Sequence, residues 1–150
     1  DMRTDVIQTE EWLNQMIACA LAGRAAEKLI FGDCVLGSGG SETSDLAHAT
    51  RLATDAESNL GFGQVQPLLY RSLEAQPSIL SLDRQLAQQV HNRLEAGEAL
   101  ATKLLSQHRS ALLALATRLA DAKTLDGSEV RALFAQEMNA APSTAKGPAP

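Results

Sequence analysis

"LAGRAAEKLIFGD" (Leu21–Asp33) and "ETSDLAHATRLA" (Glu42–Ala53) are the stretches on which the reading of this chain turns. The first closes a helical pattern. Leu13, Met16, Ile17, Ala20 and Leu21 recur as one face of a helix. That helix is expected from about Thr9 to Phe31, with Gly32 as its stop. Within it, "ACALAGRAA" has almost no bulk, and Gly23 in a helix interior costs ~1 kcal/mol relative to alanine. Close approach of another backbone is the expected compensation. The second stretch opens a helix. Thr43 or Ser44 can accept from its free N–H groups, and Leu46, Ala49, Ala53, Ala56 and Leu60 follow at spacings of three and four. Asp45 stands in its first turn.

The rest of the chain extends the same theme. "GDCVLGSGGSET" (Gly32–Thr43) is too glycine-rich for regular structure and reads as a flexible connector. From Gln64 to Leu80 there are two prolines and no helical period, so an irregular excursion is expected, with a short extended piece at "PLLYRSL". A long third helix begins near Ser81 or Asp83 and carries Leu86, Val90, Leu94, Gly97, Ala101, Leu104 and Leu105. It breaks at "SQHRS". A fourth helix bears Leu112, Leu115, Ala116 and Leu119, and the short link makes the two neighbours. Asp126 and Glu129 form a capping-box pair that opens a fifth helix through Val130, Leu133 and Phe134. After Asn139, "AAPSTAKGPAP" cannot bury anything and is expected to be disordered.

The fold class is therefore all-α: about five helices, a long third one, an irregular segment near 61–80, one domain over 1–138 and a tail over 139–150. Composition agrees. Of 150 residues 45% are hydrophobic but only 3% aromatic, so Leu, Ala, Val and Ile must build the core. The net charge of −5 argues against a nucleic-acid partner, which needs a clustered basic face. No apolar run approaches the ~18–20 residues that cross a bilayer, so no membrane contact is expected of this chain. Cys19 and Cys34 lack CxxC spacing, and a reducing compartment is the default. The chain opens on Asp1, not Met, and is expected to be a piece of something longer.

Few residues could carry chemistry. Asp45 can be read as an acid meeting the positive end of a helix dipole, worth ~0.3–1 kcal/mol. His48, three residues on, could share its face and chelate a metal with it, although a packed histidine beside the apolar stripe is the plainer reading. His91 and His108 read as surface residues. H-E-x-x-H, the phosphate loop G-x-x-x-x-G-K-[ST] and the G-x-S-x-G elbow are all absent. No catalytic residue can be assigned in this chain.

"AGRAAEKLIFG" (Ala22–Gly32) and "TSDLAHAT" (Thr43–Thr50) resemble the peptidase domain of the FtsH-type ATP-dependent zinc metallopeptidases. There a helix ending "GGRAAEE-[IL]-[IV]-[FY]-G" is followed by a loop and "S-N-D-[IL]-x-x-A-T". "GFGQVQPLLY" (Gly61–Tyr70) and the closing helices are similar to later parts of that domain, so the resemblance covers roughly Gln8 to Ala135. It implies that Asp45 is the third zinc ligand and that Glu27 has a supporting role near the metal. It places the two histidines and the general-base glutamate of the H-E-x-x-H helix upstream of Asp1. It further implies protein substrates, ATP at an AAA+ motor outside this chain, and a hexameric parent at the cytoplasmic face of the bacterial inner membrane. Ser44 replaces the family's Asn, Lys28 replaces its second Glu, and the loop before Asp45 is longer, as in a divergent branch. The isolated chain is expected to be inactive. The alternative is a non-catalytic helical interaction or oligomerisation module on the same scaffold.

Overall fold

Thr9 starts the first helix by accepting from Trp12 N through its Oγ1, at 3.2 Å. In the computed structural model, which describes residues 7–34, 40–72 and 78–140, the elements are α1 (Glu10–Phe31), α2 (Asp45–Ser58), α3 (Ile79–Leu82), α4 (Arg84–Gln107), α5 (Arg109–Ala122) and α6 (Gly127–Ala140). Among the described residues there is no strand. The fold is all-α, as expected. α1 ends on Gly32 at φ 76°, whose N–H reaches Lys28 O; a left-handed backbone there favours glycine.

The chain divides into two compact units, Asp1–Leu104 and Leu105–Pro150. The core of the first is a seam of large residues on α1 against small ones on α2. Leu13, Ile17 and Leu21 are buried, and they share a cluster with Ala49, Ala53 and Ala56, each 0% exposed. Alanines at positions i, i+4 and i+7 form one helix face with no bulk, so α1 can lie close. Leu86 and Val90 of α4 close the third side. Each large side chain buried in this way stabilises the fold by ~1.5–3 kcal/mol relative to exposure.

Close backbone packing does occur, but not at Gly23. A Cβ built on Gly97 of α4 would lie 2.7 Å from Ile17 Cγ2 and 3.5 Å from Ala18 N. A Cβ on Gly23 would meet only Asp45 Oδ2, at 3.9 Å. The small-residue run on α1 thus tolerates a side chain of α2, while the glycine that admits a neighbouring helix is the one on α4.

One buried cation fixes the directions of the three helices. Arg93 of α4 uses all five of its N–H groups: Nε on Glu57 Oε1, Nη1 on Glu10 Oε1 and Asn14 Oδ1, Nη2 on Glu10 Oε1 and the Phe62 carbonyl. The side chains of Arg93 and Glu57 are 6% and 1% exposed. A buried charge persists only when paired and hydrogen-bonded, and here both conditions are met. The end of α2 therefore lies at the start of α1, so the two helices are antiparallel. Further along, Glu98 of α4 meets Lys28 Nζ at 2.6 Å and Arg24 Nε at 3.5 Å, so α4 runs in the same sense as α1.

The structure refines several of the expected boundaries. The irregular segment contains one helical turn, α3, which at four residues is too short to show a period. α4 begins at Arg84, because Asp83 Oδ1 accepts from Leu86 N at 3.0 Å and acts as its cap. α2 stops at Ser58, leaving Leu60 outside it and 49% exposed. In the second unit, α5 and α6 pack as a hairpin. Asp126 N donates to Glu129 Oε2 at 2.9 Å while Glu129 N donates to Asp126 Oδ1 at 2.9 Å, the anticipated capping box. α6 continues through Ala140, and the remainder of the expected tail, 141–150, lies outside the described residues.

Candidate metal-ligand site

Asp45 is the first residue of α2, and the turn before it is built from hydroxyls. Ser44 Oγ accepts from Ala47 N at 3.2 Å and donates to Ser41 O at 2.6 Å. Thr43 N donates to Ser41 Oγ at 3.2 Å. Arg51, two turns along, reaches back to the Glu42 carbonyl at 3.0 Å. This web holds the helix start, and with it the backbone of Asp45, in one place. The side chain is exposed, and it leans toward α1, since Gly23 lies beneath its Oδ2. The antiparallel pairing of α1 and α2 is what brings these two sequence motifs together.

Glu27 lies one turn after Gly23, so the two share a helix face. It is half-buried and engaged with its neighbours. Arg24 and Lys28, the basic residues of the same motif, are drawn instead onto Glu98 of α4. No basic side chain among the described residues neutralises Asp45. An accessible oxygen donor on a fixed helix start suits a zinc ion, which accepts carboxylate oxygen alongside imidazole. Among the described residues no three His, Cys, Asp or Glu side chains converge as a metal-holding group. The residues present thus fit the role of contributing one ligand, not of holding an ion alone.

The histidines divide. His48, read from the sequence as packed, is exposed, because its position falls just off the alanine face that α1 covers. His91 is a surface residue with its Nε2 3.3 Å from Glu95. His108 is half-buried rather than superficial, its ring centroid 5.0 Å from that of Phe134 at 59°. Cys19 and Cys34 are free. Among the described residues no helix is long and apolar enough to cross a membrane.

Residues 2–133 match the family model for peptidase family M41. The chain belongs to that family. Among its relatives are the ATP-dependent zinc metalloprotease FtsH 2 of Sphaerobacter thermophilus, 32% identical over 130 residues (84% of this chain, 19% of that protein), and the ATP-dependent zinc metalloprotease FtsH of Methylococcus capsulatus, 30% identical over 140 residues (85% and 21%). The FtsH of Mycobacterium tuberculosis H37Rv is 28% identical over 141 residues (86% and 18%). The chain spans about a fifth of the length of these relatives.

Sequence reading missed Arg93 and Glu57, which tie the scaffold together. A signal was present. Arg93 occupies the position between Val90 and Gly97 on the stripe Leu86, Val90, Arg93, Gly97, Ala101, all buried, where an apolar residue would otherwise stand. A charge at such a position asks for a partner.

Proposed function

We propose that this chain is the C-terminal part of the zinc-dependent endopeptidase domain of an ATP-dependent protease, with residues 1–138 forming the peptidase-type portion and Asp45 supplying the third zinc ligand. The observation that carries the reading is the placement of the Asp45 carboxylate over Gly23. It joins the two motifs by which the chain resembles FtsH-type peptidases. The two histidines and the general base of an H-E-x-x-H helix lie outside this chain, so the 150 residues alone are inactive.

The chain's own residues have definable tasks. Ser44 and the turn it organises hold the helix start. Asp45 presents one carboxylate oxygen from there, above Gly23 of α1. Glu27, one turn from Gly23, orients the neighbouring groups through its own contacts. Zinc, when bound, supplies a Lewis acid that lowers the pKa of its water toward ~7 for attack on a peptide carbonyl. ATP acts at a motor domain outside this chain, the substrates are proteins, copies of the chain associate, and the parent sits at the cytoplasmic face of the bacterial inner membrane. The relatives' names support the ATP, zinc and protease parts of this reading.

Casein degradation by the full-length protein tests it. Wild type degrades casein with ATP and zinc, Asp45→Asn loses at least a hundredfold in rate, and the 150-residue chain has no activity. Degradation that survives Asp45→Asn would refute the assignment. Degradation by neither form, with zinc unbound, would favour a non-catalytic module on the same scaffold.

A further inference from the structure

Arg93 forms part of the wall of a cleft of about 270 Å³ between the start of α1 and the middle of α4. Pockets for drug-sized ligands hold roughly 300–1,000 Å³, so this one suits a small group or the end of a longer chain. Ala96 and Leu100 of α4 supply its apolar lining.

Hydrogen bonds already made decide which polar atoms a ligand would meet. Asn14 turns its Oδ1 to Arg93 Nη1 at 2.8 Å, so its NH2 is the other end of a planar amide. Asn92, whose Oδ1 accepts from Gln88 Nε2 at 2.8 Å, likewise offers its NH2. Glu10 gives Oε1 to both Nη1 and Nη2 of Arg93, each at 3.1 Å. Among the described residues its Oε2 takes no hydrogen bond. The cleft therefore presents two amide donors and one carboxylate acceptor. Their setting is fixed. The Arg93 side chain is 6% exposed, and Gln64 on the cleft's edge is pinned by its backbone N–H to Glu57 Oε2 at 3.2 Å. Groups held in place beforehand need little ordering when a ligand arrives.

Charge chooses the ligand's sign. All five N–H groups of the guanidinium are engaged, so none is left to grip an anion. Its single positive charge is set against Glu57 and Glu10, which leaves the cluster net negative. A ligand carboxylate would meet Glu10 with no cation to hold it. An ammonium would meet a half-exposed carboxylate oxygen in a charge-assisted bond. The two amide donors call for carbonyl oxygens on the same ligand. An ammonium one carbon away from a carbonyl describes the amino-terminal residue of a peptide.

We propose that the cleft beside Arg93 binds the free amino terminus of a peptide, its ammonium on Glu10 Oε2, its first carbonyls on the amides of Asn14 and Asn92, and a small first side chain against Ala96 and Leu100. This goes beyond the proposed function and is independent of the metal. Glu10 and Gly23 stand at opposite parts of α1, about 20 Å apart along the helix axis, so the cleft is separate from the Asp45 site.

An NMR titration of the isotope-labelled 150-residue chain with alanyl-alanyl-alaninamide tests this, without zinc and at pH ~6.5, where an α-amino group is protonated. The side-chain amide signals of Asn14 and Asn92 should shift saturably, with a Kd of ~1 mM. Acetylating the peptide's amino group should weaken binding at least tenfold. So should replacing the peptide by propylamine, which has the ammonium but no carbonyl. Glu10→Gln keeps an oxygen for Arg93 and should also lose at least tenfold. Ala96→Phe, at an exposed helix position, should abolish binding by filling the cleft. Glu11→Gln removes the same charge one residue on and should leave the affinity unchanged. Circular dichroism should show the three variants folded, and the two ligand comparisons need no variant at all. Signals that do not saturate would overturn the proposal, as would acetylated peptide or propylamine binding as well as the free peptide. Wild-type affinity in Glu10→Gln or Ala96→Phe, or an equal loss in Glu11→Gln, would overturn it too. None of these outcomes depends on zinc or on Asp45.

Discussion

A methyl group added at Gly97 would lie 2.7 Å from Ile17 Cγ2, and Ile17 is fully buried and β-branched, with little freedom to yield. Gly97→Ala is therefore expected to lower stability by ~1–3 kcal/mol through overpacking. Gly23→Ala should do the reverse, raising it by up to ~1 kcal/mol through helix propensity, since its Cβ meets Asp45 Oδ2 at an ordinary 3.9 Å. Thermal melts of the two variants compare the sites directly. Arg93→Ala leaves Glu57 buried without its cation, which costs ~3–5 kcal/mol; denaturant titration should show the loss, with partial recovery in the double variant Arg93→Leu, Glu57→Leu. At this scale Asp45 was legible because its neighbours in sequence form a motif. Arg93 was not, because its partners are 36 and 83 residues away. No local pattern announces them.

Helices were legible where their ends carry side-chain signals. Thr9, Ser44 and the Asp126–Glu129 pair all cap as their residue types suggest. Ser44→Ala should destabilise the fold by ~1 kcal/mol and speed amide exchange at Ala47, whose N–H it binds, before exchange in α1 changes. The start of α4 was read as near Ser81 or Asp83, and Asp83, whose Oδ1 accepts from the N–H three residues on, is the cap. The backbone N–H of Leu86, and next the Arg71 guanidinium, hold the Asp83 carboxyl below its ordinary value of 3.8. A depressed value means that the charged form is favoured in the folded state. Its contribution is thus fully present above 3.8 and is lost as pH falls through the lowered native value. Urea midpoints measured from neutral pH down to pH ~2 should drop below that point. In Asp83→Asn, which can still cap but does not titrate there, the acid limb should be flatter.

For the whole molecule, the all-α class followed from helical periodicity and the scarcity of aromatic and β-branched residues. The seam was harder to anticipate, because which small residues face which large ones depends on how antiparallel helices meet. Ala49, Ala53 and Ala56, rather than the small run on α1, provide the room. The candidate site follows from that seam: it folds two motifs onto each other and leaves one acid at the edge, over Gly23. The most direct test is the zinc content and zinc affinity of the full-length protein, wild type against Asp45→Asn. With Asp45 as a ligand, the wild type should hold about one zinc per chain and the variant should lose at least tenfold in affinity, with the melting temperature of the zinc-free form unchanged. Zinc held by Asp45→Asn with wild-type affinity would contradict it.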